Sequence, residues 1–231
     1  MATITDEEFG IITLRRSVRA SQIRVRVAPN GQLRASLPLY APAFLVKRLV
    51  ASSRTQLRAL LAEQQGTATF THGMQIGKSH TLIIRDGTSQ QPVAQRHGQQ
   101  IIVQLPVDMS PTNPLATRTI REAVIDALRL QAKSHLPKRL AHLAAQHGHT
   151  YERVRFSHAS GRWGSCSSTG TISLNIALMK LPFELIDYVL VHELSHTVEM
   201  NHSESFWALV AAADPLYKQH RQALKKEAPS I

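Results

Sequence analysis

The run Ile186-Asp187-Tyr188-Val189-Leu190-Val191-His192-Glu193-Leu194-Ser195-His196 carries apolar side chains at helical spacing. With Phe183 before it and Val198 after, Ile186, Leu190 and Leu194 form one stripe, and a helix is expected over about Phe183 to Glu199. Inside this helix lies an H-E-x-x-H sequence. Residues four apart sit one turn above another, so the imidazoles of His192 and His196 project from one face and can share a single metal ion. Composition alone would produce such a match about 0.03 times in a chain of this length.

The chemistry follows from the residue types. Imidazoles suit Zn2+, and a water bound to zinc has its pKa lowered to about 7. Glu193 stands beside that water, where a carboxylate can take its proton as it attacks a carbonyl and later pass the proton to the leaving amine. His202, six residues beyond His196, is the expected third metal ligand, at the interval by which the metzincin pattern reaches its own third histidine. Glu199 occupies the place of the metzincin glycine, so the chain is expected to leave the helix one or two residues later, with Asn201 in a left-handed cap conformation. Glu199 and Glu204 are the alternative ligands. A fourth ligand such as Cys166 would close the site and make it structural, and Cys166 as a nucleophile lacks a located base.

Upstream, the chain is expected to be α+β. Ile11 to Leu37 alternates apolar residues with arginines and reads as β-hairpins broken at Pro29-Asn30-Gly31. Ala43 to Gln64 reads as one amphipathic helix, with Gly66 just past its end. Strands are expected at Thr81 to Arg85 and Gln100 to Leu105, divided by Asp86-Gly87 and a polar stretch through Gly98. Thr112 or Asn113 caps a helix with Pro114 at its first position, and Pro137 is expected to end or kink it before a second stretch running to Gly148. Val154 to Ser157 and Thr171 to Asn175 read as strands joined by a loop. The organisation expected is a β-rich basic N-terminal region with one helix over 1–106 and a catalytic domain over 107–231. No internal repeat is evident in the sequence.

Composition narrows the setting. At 231 residues with 43% hydrophobic content the chain is long enough for a sizeable core. The single cysteine excludes an internal disulfide, the N-terminus lacks the features of a secretory signal, and no apolar run approaches the roughly 20 residues of a membrane span, so a cytoplasmic protein is expected. The net charge of +11, much of it from Arg15, Arg16, Arg19, Arg24, Arg26 and Arg34, admits nucleic acid as a partner; its plainer meaning is a solvated basic face.

Arg162-Trp163-Gly164-Ser165-Cys166-Ser167, Ile172-Ser173-Leu174-Asn175, the run from Ile186 to His196, Asn201-His202-Ser203 and Phe206-Trp207 together resemble the YgjP-like zinc metallopeptidases. That family is similar in turn to the SprT-like proteases and to zincins generally. The resemblance implies a zincin-like catalytic half, zinc held by His192, His196 and His202, Glu193 as base, and a peptide or protein substrate. It also implies a strand beside the cleft, for which Thr171 to Asn175 is the expected edge. Arg162, Trp163 and Asn175 are the expected substrate-binding residues, Phe206 and Trp207 packing contacts. Two rival functions share the metal motif: hydrolysis of nucleotide phosphoanhydrides, and nucleic-acid binding around a structural zinc.

Overall fold

A computed structural model describes residues 2–18, 20–28, 32–65 and 70–231. The turn expected at Pro29-Asn30-Gly31, the helix end expected at Gly66, and Arg19 lie outside the described residues. The chain divides into two compact units, 1–69 and 70–231, whereas the sequence reading sets its boundary at 106.

The first unit holds strands β1 (Ala2–Asp6), β2 (Gly10–Arg16), β3 (Arg24–Val27) and β4 (Leu33–Leu37) in the order β1-β2-β4-β3, with β2 and β4 parallel and the outer pairs antiparallel. Alternation puts Ile12, Leu14, Leu33, Ala35 and Leu37 on one face, where they pack with Val46, Val50 and Leu57. Two helices follow, α1 (Phe44–Ser52) and α2 (Arg54–Gln65), in place of the single helix expected. The break is at Ser53, whose N–H reaches back to the carbonyls of Leu49 and Val50, while the Ser52 hydroxyl also donates to Leu49. Paired serines compete for backbone groups in this way and favour helix ends over helix interiors.

The second unit begins with β5 (Gln75–Ile76), β6 (His80–Gly87), β7 (Val93–His97) and β8 (Gln100–Pro106), ordered β5-β6-β8-β7. Strand order and sense repeat those of the first sheet, β6 and β8 being the parallel pair. This topological repeat has no counterpart visible in the sequence. β7 was not expected, because an edge strand reading Val-Ala-Gln-Arg-His buries little and shows no alternation. Asp86-Gly87, expected as a turn, lies within β6.

These strands pack on α3 (Pro114–His147), whose N-terminus is capped by the Asn113 side chain accepting from the Leu115 N–H. The helix continues through Pro137. Proline removes one hydrogen bond, and Leu136 and Leu140, both fully buried, hold the segment in the core on either side. Beyond α3 come β9 (Arg153–Ser157), β10 (Gly164–Cys166) and β11 (Thr171–Asn175), a 3₁₀ turn (Ile176–Lys180), and helices α4 (Phe183–Ser195), α5 (Glu204–Ala213) and α6 (Tyr217–Leu224). The order β10-β11-β9 corrects one expectation: Thr171 to Asn175 is the central strand, paired on both sides. The open edge nearer α4 is β10, three small residues too short to announce a strand. Among the described residues no helix is long and apolar enough to cross a membrane.

Candidate metal centre

α4 is fixed by its apolar side. Ile186, Leu190 and Leu194 are fully buried, and Asp187 on another face receives both Nε and Nη2 of Arg139 from α3 at 2.8 and 2.7 Å. The helix ends at Ser195, earlier than expected, because the chain tightens: the Thr197 and Val198 N–H groups donate three residues back, to Leu194 and Ser195. Asn201 does not adopt the left-handed conformation, which among described non-glycine residues only Asp108 takes. This earlier departure is what returns His202 towards the helix.

Ligand nitrogens of His192, His196 and His202 all lie within 4.8 Å of one another, and Nε2 of His202 is 3.2 Å from Nε2 of His192. Two imidazole nitrogens on one tetrahedral ion at 2.0–2.1 Å would stand about 3.3 Å apart, so the pair already has the spacing a metal requires. The His196 Nδ1 lies 3.1 Å from the Glu199 carbonyl, an outer partner that orients the ring and leaves Nε2 for a metal. Burial drives His192 down to about 4, reinforced by the fields of His196, His202 and Arg221, and burial likewise lowers His196. Neutral imidazole is the form that ligates, and the donor set therefore fits a metal ion. Neither Glu199, Glu204 nor Cys166 joins the cluster. Burial and the Glu193 charge raise the Cys166 thiol, the opposite of an activated nucleophile.

An aromatic wall holds the rings. Phe206, fully buried, stacks on His196 with centroids 4.5 Å apart and meets His192 and His202 edge-on at 4.9 and 4.8 Å. Trp207 stacks on His202 and on Tyr217, with the Arg221 guanidinium 4.6 Å above it. α5 places both aromatics, starting where Ser203 accepts from the Phe206 N–H. Tyr217 and Arg221 were not foreseen; no motif marks them, because they act through α6.

Glu193 is 5% exposed and its Oε2 has no hydrogen-bond partner. Burial pushes its carboxyl up to about 8, against the pull of the Arg162 charge. Gly164, on β10, lies directly against it: a Cβ there would sit 2.5 Å from Oε1. The glycine of the Arg-Trp-Gly-Ser-Cys run thus makes room for the carboxylate, a role the sequence reading missed. Arg162 is exposed and Trp163 half-buried. Asn175 is fully buried, its Nδ2 donating to the carbonyls of Ala159 and Arg162 and its Oδ1 accepting from the Ala177 N–H, while its backbone N–H binds the Trp163 carbonyl. It clamps the loop that carries Arg162 and Trp163.

A helix bearing H-E-x-x-H, a third histidine returned by the following loop and a buried carboxylate beside them are the marks of a metallopeptidase. The chain belongs to the YgjP-like family: the model described as "YgjP-like, metallopeptidase domain" matches residues 21–227. It is also similar to the metallopeptidase zymogen abylysin of Pyrococcus abyssi, with 29% identity and a TM-score of 0.36 over 39% of this chain and 92% of that one. No curated protein sequence matches.

Proposed function

We propose that the protein is a zinc-dependent peptidase in which His192, His196 and His202 hold the ion and Glu193 is the general base. The observation that carries this reading is the convergence of three imidazoles within 4.8 Å one residue away from a buried carboxylate. Zinc is the choice because an all-imidazole set with no carboxylate suits it well. When bound, such an ion would supply Lewis-acid polarisation of the scissile carbonyl and would make water more acidic. Glu193 Oε2 takes the proton of the attacking water and delivers it to the leaving amine nitrogen. Arg162 steadies the developing oxyanion or a substrate carboxylate, and Trp163 contacts the substrate. The substrate pairs with β10, the open edge beside Glu193, while Asn175 positions the loop and does not touch it. Glu193→Gln is expected to lower kcat by at least about 10² with the metal retained, read by peptide hydrolysis and elemental analysis. Full turnover in that variant would remove Glu193 from the mechanism.

One observation favours nucleic acid as an additional partner. Arg26 faces Arg34 across β3 and β4, and Arg24 and Arg15 both register with Ser36, so four exposed arginines share the sheet face opposite the first unit's core. No carboxylate is ion-paired to them among the described residues. Such a face fits a phosphate backbone. Anisotropy titrations with a labelled oligonucleotide across salt concentrations should show a steep slope, reduced by about 2 in Arg24→Gln/Arg26→Gln. An unchanged slope would reject this face as the contact.

A further inference from the structure

A concavity lies in the same unit as the metal centre but at the other end of α4. It encloses about 350 Å³ between the β5–β8 sheet, α3 and the 3₁₀ turn, with Phe183, the first residue of α4, at its rim. Ten residues of helix from Phe183 to His192 span roughly 14 Å, so it does not share the metal centre's chemistry.

Its polar lining is one-sided. Lys78 and Arg96 contribute cations, and no Asp or Glu lines it; the carboxylate whose field reaches Lys78 is Glu184. The Lys78 ammonium is held in place, donating to the Leu181 carbonyl and lying 4.4 Å from the Phe183 ring centroid. Two of its three N–H donors remain beyond that bond. His80 supplies a second kind of donor. Gln131 accepts the Lys78 backbone N–H at Oε1, which fixes its amide, and its Nε2 then donates to the Ile76 carbonyl and to His80 Nδ1, each at 2.9 Å. With Nδ1 an acceptor, the neutral ring carries its proton on Nε2. His80 is 4% exposed, and Nε2 has no hydrogen-bond partner. Desolvation and the Arg96 charge both keep the ring neutral. A buried N–H without an acceptor, in a lining that holds two cations and no acid, is a site for an oxyanion. Leu130, Met179 and Phe183 add apolar surface for the rest of the molecule.

We propose that this cavity binds a small organic anion, a phosphate or carboxylate carried on an apolar body, with Lys78, Arg96 and His80 Nε2–H as its donors. The test is calorimetric titration of the full chain with phenyl phosphate, benzoate and benzyl alcohol. At least one of the two anions should bind one to one, the tighter identifying the headgroup, and benzyl alcohol should not. Lys78→Gln and Arg96→Gln should each weaken binding about tenfold or more, whereas Arg118→Gln, which removes the same charge from the exposed face of α3, should leave it unchanged. Arg96 is exposed, so its variant decides the matter if Lys78→Gln does not fold. Absence of heat with both anions, equal binding of the alcohol, wild-type affinity in Arg96→Gln, or an equal loss in Arg118→Gln would each overturn the proposal.

Discussion

Gly164→Ala isolates how closely β10 is fitted to the general base. The added methyl carbon would lie 2.5 Å from Glu193 Oε1, 2.7 Å from Cγ and 2.8 Å from Cδ. Ordinary contact begins near 3.4 Å, so the carboxylate must retreat by about 0.9 Å (3.4 less 2.5). The glycine is not in the left-handed region, so alanine brings no backbone strain and the effect is that of the clash alone. A displacement of about 1 Å at a reacting group costs on the order of 10² in rate, and overpacking costs about 1–3 kcal/mol of stability. We therefore expect kcat to fall about 100-fold at near-constant KM, with a modest loss in Tm and wild-type metal content. Peptide hydrolysis, thermal melts and elemental analysis read the three quantities separately. Wild-type kcat with metal bound would refute the placement of Glu193 against β10.

His202→Ala should sharply reduce metal content after dialysis against a weak chelator; unchanged content would take His202 out of the ligand set. Phe206→Ala should destabilise the protein by about 3–5 kcal/mol, measured by denaturant unfolding, since it removes a fully buried ring that packs on all three imidazoles. Asn175→Ala strands the buried Ala177 N–H and removes the bonds to the part-buried Ala159 and Arg162 carbonyls, and should cost at least about 1–3 kcal/mol by denaturant unfolding; a loss under about 1 kcal/mol would show that the loop does not depend on it. In the first unit, hydrogen bonds from Arg58 and Arg54 lower Glu8 from 4.5 to about 2. A depressed folded-state value means stabilisation present above about 4.5 and lost as pH falls towards 2, so the Tm gap between wild type and Glu8→Gln should close over that window, and a constant gap would contradict the pairing.

The sequence carried the site further than the fold. H-E-x-x-H is legible because its spacing is the helical period itself, and His202 because a fixed interval separates it from His196. What escaped are features without a period. β10 is three small residues on an edge, β7 a polar edge strand, and the Ser53 break depends on serine side chains competing with a helix that the apolar pattern alone would continue. The reading of Thr171 to Asn175 as an edge failed because order along the chain does not reveal which strand ends up between two others. Gly164, Tyr217 and Arg221 act through contacts that only the folded chain creates.

The passage of α3 through Pro137 has a practical consequence. One uninterrupted helix bears both the β5–β8 strands and α4, so Ile120, Val124 and Leu128 near its start are buried in the same unit as the histidines at the end of α4. A fragment cut at residue 107 would strip the strands from that helix and lay an oily stripe open to water. The smallest piece with a prospect of surviving alone as a catalyst therefore starts near Phe70, and the four strands before α3 are part of its foundation.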